Sequence, residues 1–182
     1  MTEHEHPLDN EKPCCFKISA FKENGYIEIY GPGNMNIAPI LKDICYAMIN
    51  EGKSDVFLNM KDCTIVDSTF MGTLVNIKER LKELNPKNGN LFILNLNDDN
   101  RKLFSMVGID RMIETVTQGV TIPDFKLKTI DICEVDREEK LRVVVEAHEK
   151  LIQINKVNKS KFEKFLSIVK EEMEEEGIES DE

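Results

Sequence analysis

Residues Ile65 to Gly72 read I-V-D-S-T-F-M-G, between a short apolar run, Val56 to Met60, and an amphipathic helical pattern. A short apolar run of this kind suits a buried central strand. Helical spacing begins directly after D-S-T, so the chain must pass from sheet to helix there. Asp67, Ser68 and Thr69 then stand at a helix N-terminus, beside unpaired backbone N–H groups. Free amides and the helix dipole favour negative charge at such a place. A hydroxyl there could accept a phosphate without unfolding its own domain. Read locally, Asp67, Ser68 and Thr69 also all suit a simple N-cap.

The surrounding pattern extends the α/β reading. Phe16 to Phe21 and Tyr26 to Tyr30 alternate and flank Asn24-Gly25, which predicts a hairpin. Helical spacing over Ile37 to Ile49 follows, with Asn36 as a plausible N-cap and Gly52 as the stop. A helix is expected from about Thr69 to Leu84, then a strand over Leu91 to Leu96. A short helix over Asp98 to Val107 stops at Gly108, and Met112 to Val116 closes the region. The order β-β-α-β-α-β-α predicts a mixed sheet with helices packed over it.

Five parts are expected: a flexible tail (1–15), a domain (16–116), an extended linker lying on it (117–135), a helical pair (136–176) and an acidic end (177–182). Phe125, Leu127, Ile130 and Ile132 suggest the extended strip. The pair carries one stripe at Leu141, Val144, Val145, His148, Leu151 and Ile152, and another at Phe162, Phe165, Leu166, Val169 and Met173. Ser160 and Glu163 have capping-box spacing, and Asn155 to Asn158 is a candidate turn. One long bent helix is the alternative. The apolar stripes need a cover, which the domain, a second copy or a partner could supply.

Charge and cysteines narrow the function. The net charge is −10, but the last twelve residues hold eight acids and no base, leaving −2 for the rest. An acidic tail without a basic patch argues against nucleic acid and anionic membrane as partners. No apolar run approaches the ~20 residues of a membrane span. Five cysteines without a C-x-x-C pair fit a reducing cytoplasm, with Cys45 and Cys63 as small core residues. His4 and His6 lie in the polar start, and no metal-ligand cluster or cofactor motif is present. Catalysis by Ser68 would need a base within hydrogen-bond reach, and His148 stands at a stripe position suited to core packing. A non-enzyme is expected.

The stretch from about Phe16 to Val116 resembles the STAS domain of bacterial anti-sigma factor antagonists. The likeness rests on the hairpin, the Gly-containing loop, V-D-S-T before a helix bearing Gly72, and the downstream K-L-F-S-M-V-G-I. It implies a STAS-like mixed sheet carrying a C-terminal helical extension outside the family pattern. It also implies phosphorylation of Ser68 by a serine-kinase anti-sigma factor, which the unphosphorylated protein binds, and resetting by a PPM-type serine phosphatase. Asp67, Thr69, Phe70, Met71 and Asn34 are then expected at the partner surface. Two departures stand out. The family commonly has Gly at the position of Phe70, which leaves its ring either exposed to a partner or folded into the core. Asn34 takes the place of an acid near the phosphosite. The alternative is a constitutive subunit of a multi-protein sensor or transport complex. The extension could also form a homodimer through its helices.

Overall fold

The computed structural model describes residues 15–116 and 126–179. The readings of the N-terminal tail, His4, His6, Phe125 and the last three residues fall outside them. The elements run β1 (Cys15–Phe21), β2 (Asn24–Gly33), α1 (Ala38–Asn50), β3 (Asp55–Val66), α2 (Ser68–Leu84), β4 (Asn90–Leu94), α3 (Asp98–Val107), β5 (Glu114–Val116), β6 (Lys128–Asp131), α4 (Arg137–Ile154) and α5 (Val157–Glu175), with a 3-10 turn at Ile109–Arg111. The six strands lie in the order β5-β4-β3-β2-β1-β6. β2, β3, β4 and β5 run parallel to one another, while β1 runs antiparallel to both β2 and β6. This is the mixed α/β sheet that the element order predicts.

The hairpin turns two residues earlier than the Asn24-Gly25 signal. Phe21 pairs with Asn24, so Lys22 and Glu23 make the turn, and Lys22 takes the positive φ of 52°. Gly25 serves packing instead: a Cβ there would lie 2.7 Å from Met48 Sδ of α1. α1 has no side-chain cap at Ile37. Its first amides, of Ile37 and Ala38, donate to the Asn34 carbonyl, so Asn36 is not the N-cap. Gly52 ends the helix in the left-handed region, at φ 89°.

β3 is longer than its apolar stretch because its second half, Lys61 to Val66, pairs with the end of β2 across register irregularities. Val56, Leu58 and Met60 point into the core and are fully buried. Phe57 and Phe92 stack on the other face, with ring centroids 4.9 Å apart. Against the core face lie α1 and α2, and α4 touches both.

The C-terminal helices are two, joined at Asn155 and Lys156. Ion pairs from Arg137 to Glu172 and Glu176, and from Lys170 to Glu149, fix them antiparallel. The capping box at Ser160 does not form. α5 begins three residues earlier, and the Ser160 hydroxyl donates back to the Val157 carbonyl. Val143, Ala147 and Leu151 of α4 are at most 1% exposed, and Val143 and Leu151 belong to the main core. Of the first stripe, Leu151 joins the domain core, while Leu141, Val144 and Val145 pack with α5. Val144 and Val145 meet Val169 and Met173 of α5 in a smaller cluster. Residues 128–131 of the expected strip are extended and lie on the domain as an edge strand paired with β1.

Candidate functional site

The end of β3, the start of α2 and the β2–α1 loop converge on Ser68. The Asp67 amide donates to the Gly33 carbonyl at 2.9 Å, tying the two loops together. Asp67 is the N-cap of α2. One carboxylate oxygen accepts from the Phe70 amide and the other from the Met35 amide, both at 2.8 Å. The cap role thus falls to Asp67, and Ser68 is the first helical residue, partly exposed. Asn34 braces the same corner through an Asx turn, its Oδ1 accepting from the Asn36 amide at 3.0 Å. Its carbonyl accepts from the first amides of α1, so both of its oxygens are engaged within the loop.

Thr69, Phe70 and Met71 are buried, at 4%, 0% and 4% exposure. The expectation that they face a partner is corrected. For Phe70 the reason lies at Gly33 in the facing strand end. Gly33 presents no side chain, and a Cβ there would touch the Phe70 ring at 3.0–3.1 Å, so the ring fills that space. The large apolar side chains that remain exposed around the corner are Met35 and Ile65. Met35 lies in the β2–α1 loop and Ile65 in the polar last part of β3, where neither carries a periodic signal, so sequence reasoning did not single them out.

A second residue reaches the hydroxyl from the far end of the chain. His148 of α4 lies with Nε2 2.8 Å from Ser68 Oγ. Its Nδ1 is 2.7 Å from the Val144 carbonyl, one turn back on the same helix. A carbonyl only accepts, so Nδ1 carries the proton, and Nε2 is left to accept from the Ser68 hydroxyl. The ring is seated by Phe162 and Phe165 of α5, with centroids 5.0 and 4.8 Å away, and is 2% exposed. The absence of a base near Ser68, expected from sequence, is thereby overturned. His148 is indeed buried at a stripe position, and that burial is what carries it to Ser68.

Close approach makes this contact possible. A Cβ at Gly72 would lie 2.3 Å from the Ala147 carbonyl oxygen, so α2 and α4 touch backbone to backbone one turn beyond Ser68. Lys42–Glu146 and Lys150–Glu79 ion pairs, the latter at 2.6 Å, flank the contact from α1 and α2.

Burial holds His148 below the usual histidine range, while the Val144 carbonyl and the Asp67 charge pull it back up. Burial pushes the Asp67 carboxyl up, and the Phe70 and Met35 amides offset this. For His148 the unfolded chain binds more protons than the folded one between its lowered folded pKa and 6.5. Stability is then fully present above 6.5 and declines as pH falls through that window, by at most about 1.4 kcal/mol per pH unit. Asp67 titrates in the opposite sense, toward lower pH. Urea unfolding at pH 7, 6 and 5 is expected to show the decline in the natural chain and a flatter profile in His148→Gln. Equal slopes in the two proteins would contradict it.

Residues 22–121 match the family model described as STAS domain. An anti-sigma-B factor antagonist of Staphylococcus epidermidis is 27% identical over 107 residues, which span 58% of this chain and 95% of that protein. Two solved structures share the fold. One is a Thermotoga maritima protein proposed to be an anti-sigma factor antagonist, at 19% identity and TM-score 0.51, covering 58% of this chain and 87% of that one. The other is an anti-sigma factor antagonist from Mycobacterium paratuberculosis, at 13% identity and TM-score 0.50, covering 59% and 87%.

Proposed function

The chain belongs to the STAS domain family, and from that premise we propose that it is an anti-sigma factor antagonist switched by phosphorylation of Ser68. In this reading the unphosphorylated protein binds a serine-kinase anti-sigma factor in the cytoplasm. The kinase phosphorylates Ser68 and releases it, and a PPM-type phosphatase restores the hydroxyl. The carrying observation is Ser68 at the first position of α2, partly exposed, with Asp67 taking the capping role. The modified residue is thus not the one that holds the helix start.

The surface left to the partner comprises Ser68, Asp67 and the neighbouring loop at Asn34, with Met35 and Ile65 exposed beside them. A phosphate there adds nearly two negative charges to a contact that must be desolvated. Each 1.4 kcal/mol of that cost is tenfold in affinity. Incubation with ATP and the serine-kinase anti-sigma factor of the same genome is expected to place a single phosphate on Ser68. Ser68→Ala is expected to retain the kinase in pulldown, and Ser68→Asp to lose it by tenfold or more. A phosphate elsewhere, or equal retention by the two variants, would overturn the switch.

The engaged Ser68 hydroxyl favours one second reading, a constitutive interaction subunit of a multi-protein sensor or transport complex. There the Ser68–His148 contact serves only to fasten the extension to the domain. Equal binding by both variants is its signature.

A further inference from the structure

Ser68 and His148 have the geometry of an activated hydroxyl. Oγ and Nε2 are 2.8 Å apart, inside the range for proton transfer between a nucleophile and its base. The third member of such an arrangement orients the base, and here it is the Val144 carbonyl on Nδ1. Asp67 does not play that part, because its two oxygens are taken by the Phe70 and Met35 amides. The ring is fixed between Phe162 and Phe165, and Oγ sits at the positive end of a 17-residue helix that favours developing negative charge.

We propose that His148 is the general base for modification of Ser68, so that this protein brings to phosphoryl transfer a proton acceptor of its own. The inference rests on Ser68 being the modified residue. In the step, a nucleoside triphosphate held by the partner supplies the γ-phosphoryl group. The Oγ–P bond forms as the bond from phosphorus to the leaving diphosphate oxygen breaks, and the Oγ proton passes to Nε2. The resulting imidazolium faces the new phosphate and offers it a charge-assisted hydrogen bond. The extension thus has two chemical tasks at one atom, to take the proton and then to hold the product.

A hydroxyl activated in this way should react without any kinase. The probe is a fluorophosphonate, whose P–F bond breaks as Oγ–P forms, with the proton leaving through Nε2. Full-length protein is expected to be labelled at Ser68, mapped by peptide mass spectrometry. Labelling should be lost in Ser68→Ala and slowed about 100-fold in His148→Gln. Should His148→Gln fail to fold, the natural protein still decides the matter. Its labelling rate is expected to rise with pH as the imidazole loses its proton, in step with the His148 titration followed by NMR. Asp67 is the charged group acting on the ring. An unlabelled Ser68, a rate unchanged in folded His148→Gln, or a profile flat through the imidazole titration would each overturn the base. Kinase labelling of Ser68 beside a silent probe would remove the base and leave the switch. Probe labelling without kinase labelling would do the reverse.

Discussion

Removing α4 and α5 by ending the chain after Val135 is expected to abolish cooperative folding of the remainder. Val143 and Leu151 are embedded in the main core, Ala147 lies against the α2 backbone, and Leu141, Val144 and Val145 are buried beside them. Fully burying one Val or Leu side chain contributes about 1.5–3 kcal/mol. Losing even Val143 and Leu151 therefore removes about 3–6 kcal/mol, and the total stability of a domain is only about 5–15 kcal/mol. The faces of α1 and α2 that these side chains cover would also open to water. The expected observations are aggregation on expression, or a soluble fraction without a cooperative thermal transition. A shortened chain that is monomeric and melts within a few degrees of the full protein would show that the extension is dispensable to the fold.

The second large effect is expected from a single methyl group. Gly72→Ala puts a Cβ 2.3 Å from the Ala147 carbonyl oxygen, 2.6 Å from its carbon and 2.7 Å from its Cα. All three are backbone atoms of α4, so no side chain can swing aside. Either α4 withdraws by about an ångström or more, or α2 bends. Overpacking of this sort costs about 1–3 kcal/mol. For a chain of this size that is a fall in Tm of about 2–12 °C. The same displacement draws Nε2 of His148 away from Ser68 Oγ. The imidazole NMR signals should then lose the signature of a bonded Nε2, and probe labelling of Ser68 should slow along with the Tm change. Gly72→Ala with unaltered Tm and unaltered imidazole signals would mean that the two helices are not in backbone contact.

Where local chemistry decides, the sequence was a good guide. Alternation placed β1 and β2, helical spacing placed α1 and α2, and Gly52 and Gly108 mark helix ends in the left-handed region. Cys45 and Cys63 as core residues follow from residue type and neighbours, whereas Asp67, Ser68 and Thr69 all suited the cap that Asp67 takes. What local pattern could not resolve depends on distant partners. The polar second half of β3 is a strand because β2 pairs with it. Phe70 is buried because Gly33, thirty-seven positions earlier, vacates its space. His148 reads as one more position in a stripe, and only the docking of α4 on α2 turns it toward a serine eighty residues away. A small residue at Gly72 was the one local hint of that docking, since close helix contact is a reason for a helical glycine.

The sheet ends on both sides in very little free backbone. β5 is a three-residue strand and β6 a four-residue strand carrying Lys128 and Asp131. Long unguarded margins invite strands from other molecules to add on, whereas short, charged ones discourage it. By laying β6 along β1, the segment before the helical pair shields Cys15 to Ile18 of the outer strand, which would otherwise offer a template for fibre growth. For the switch proposed at Ser68, margins to which nothing else adheres keep other chains from competing with the partner.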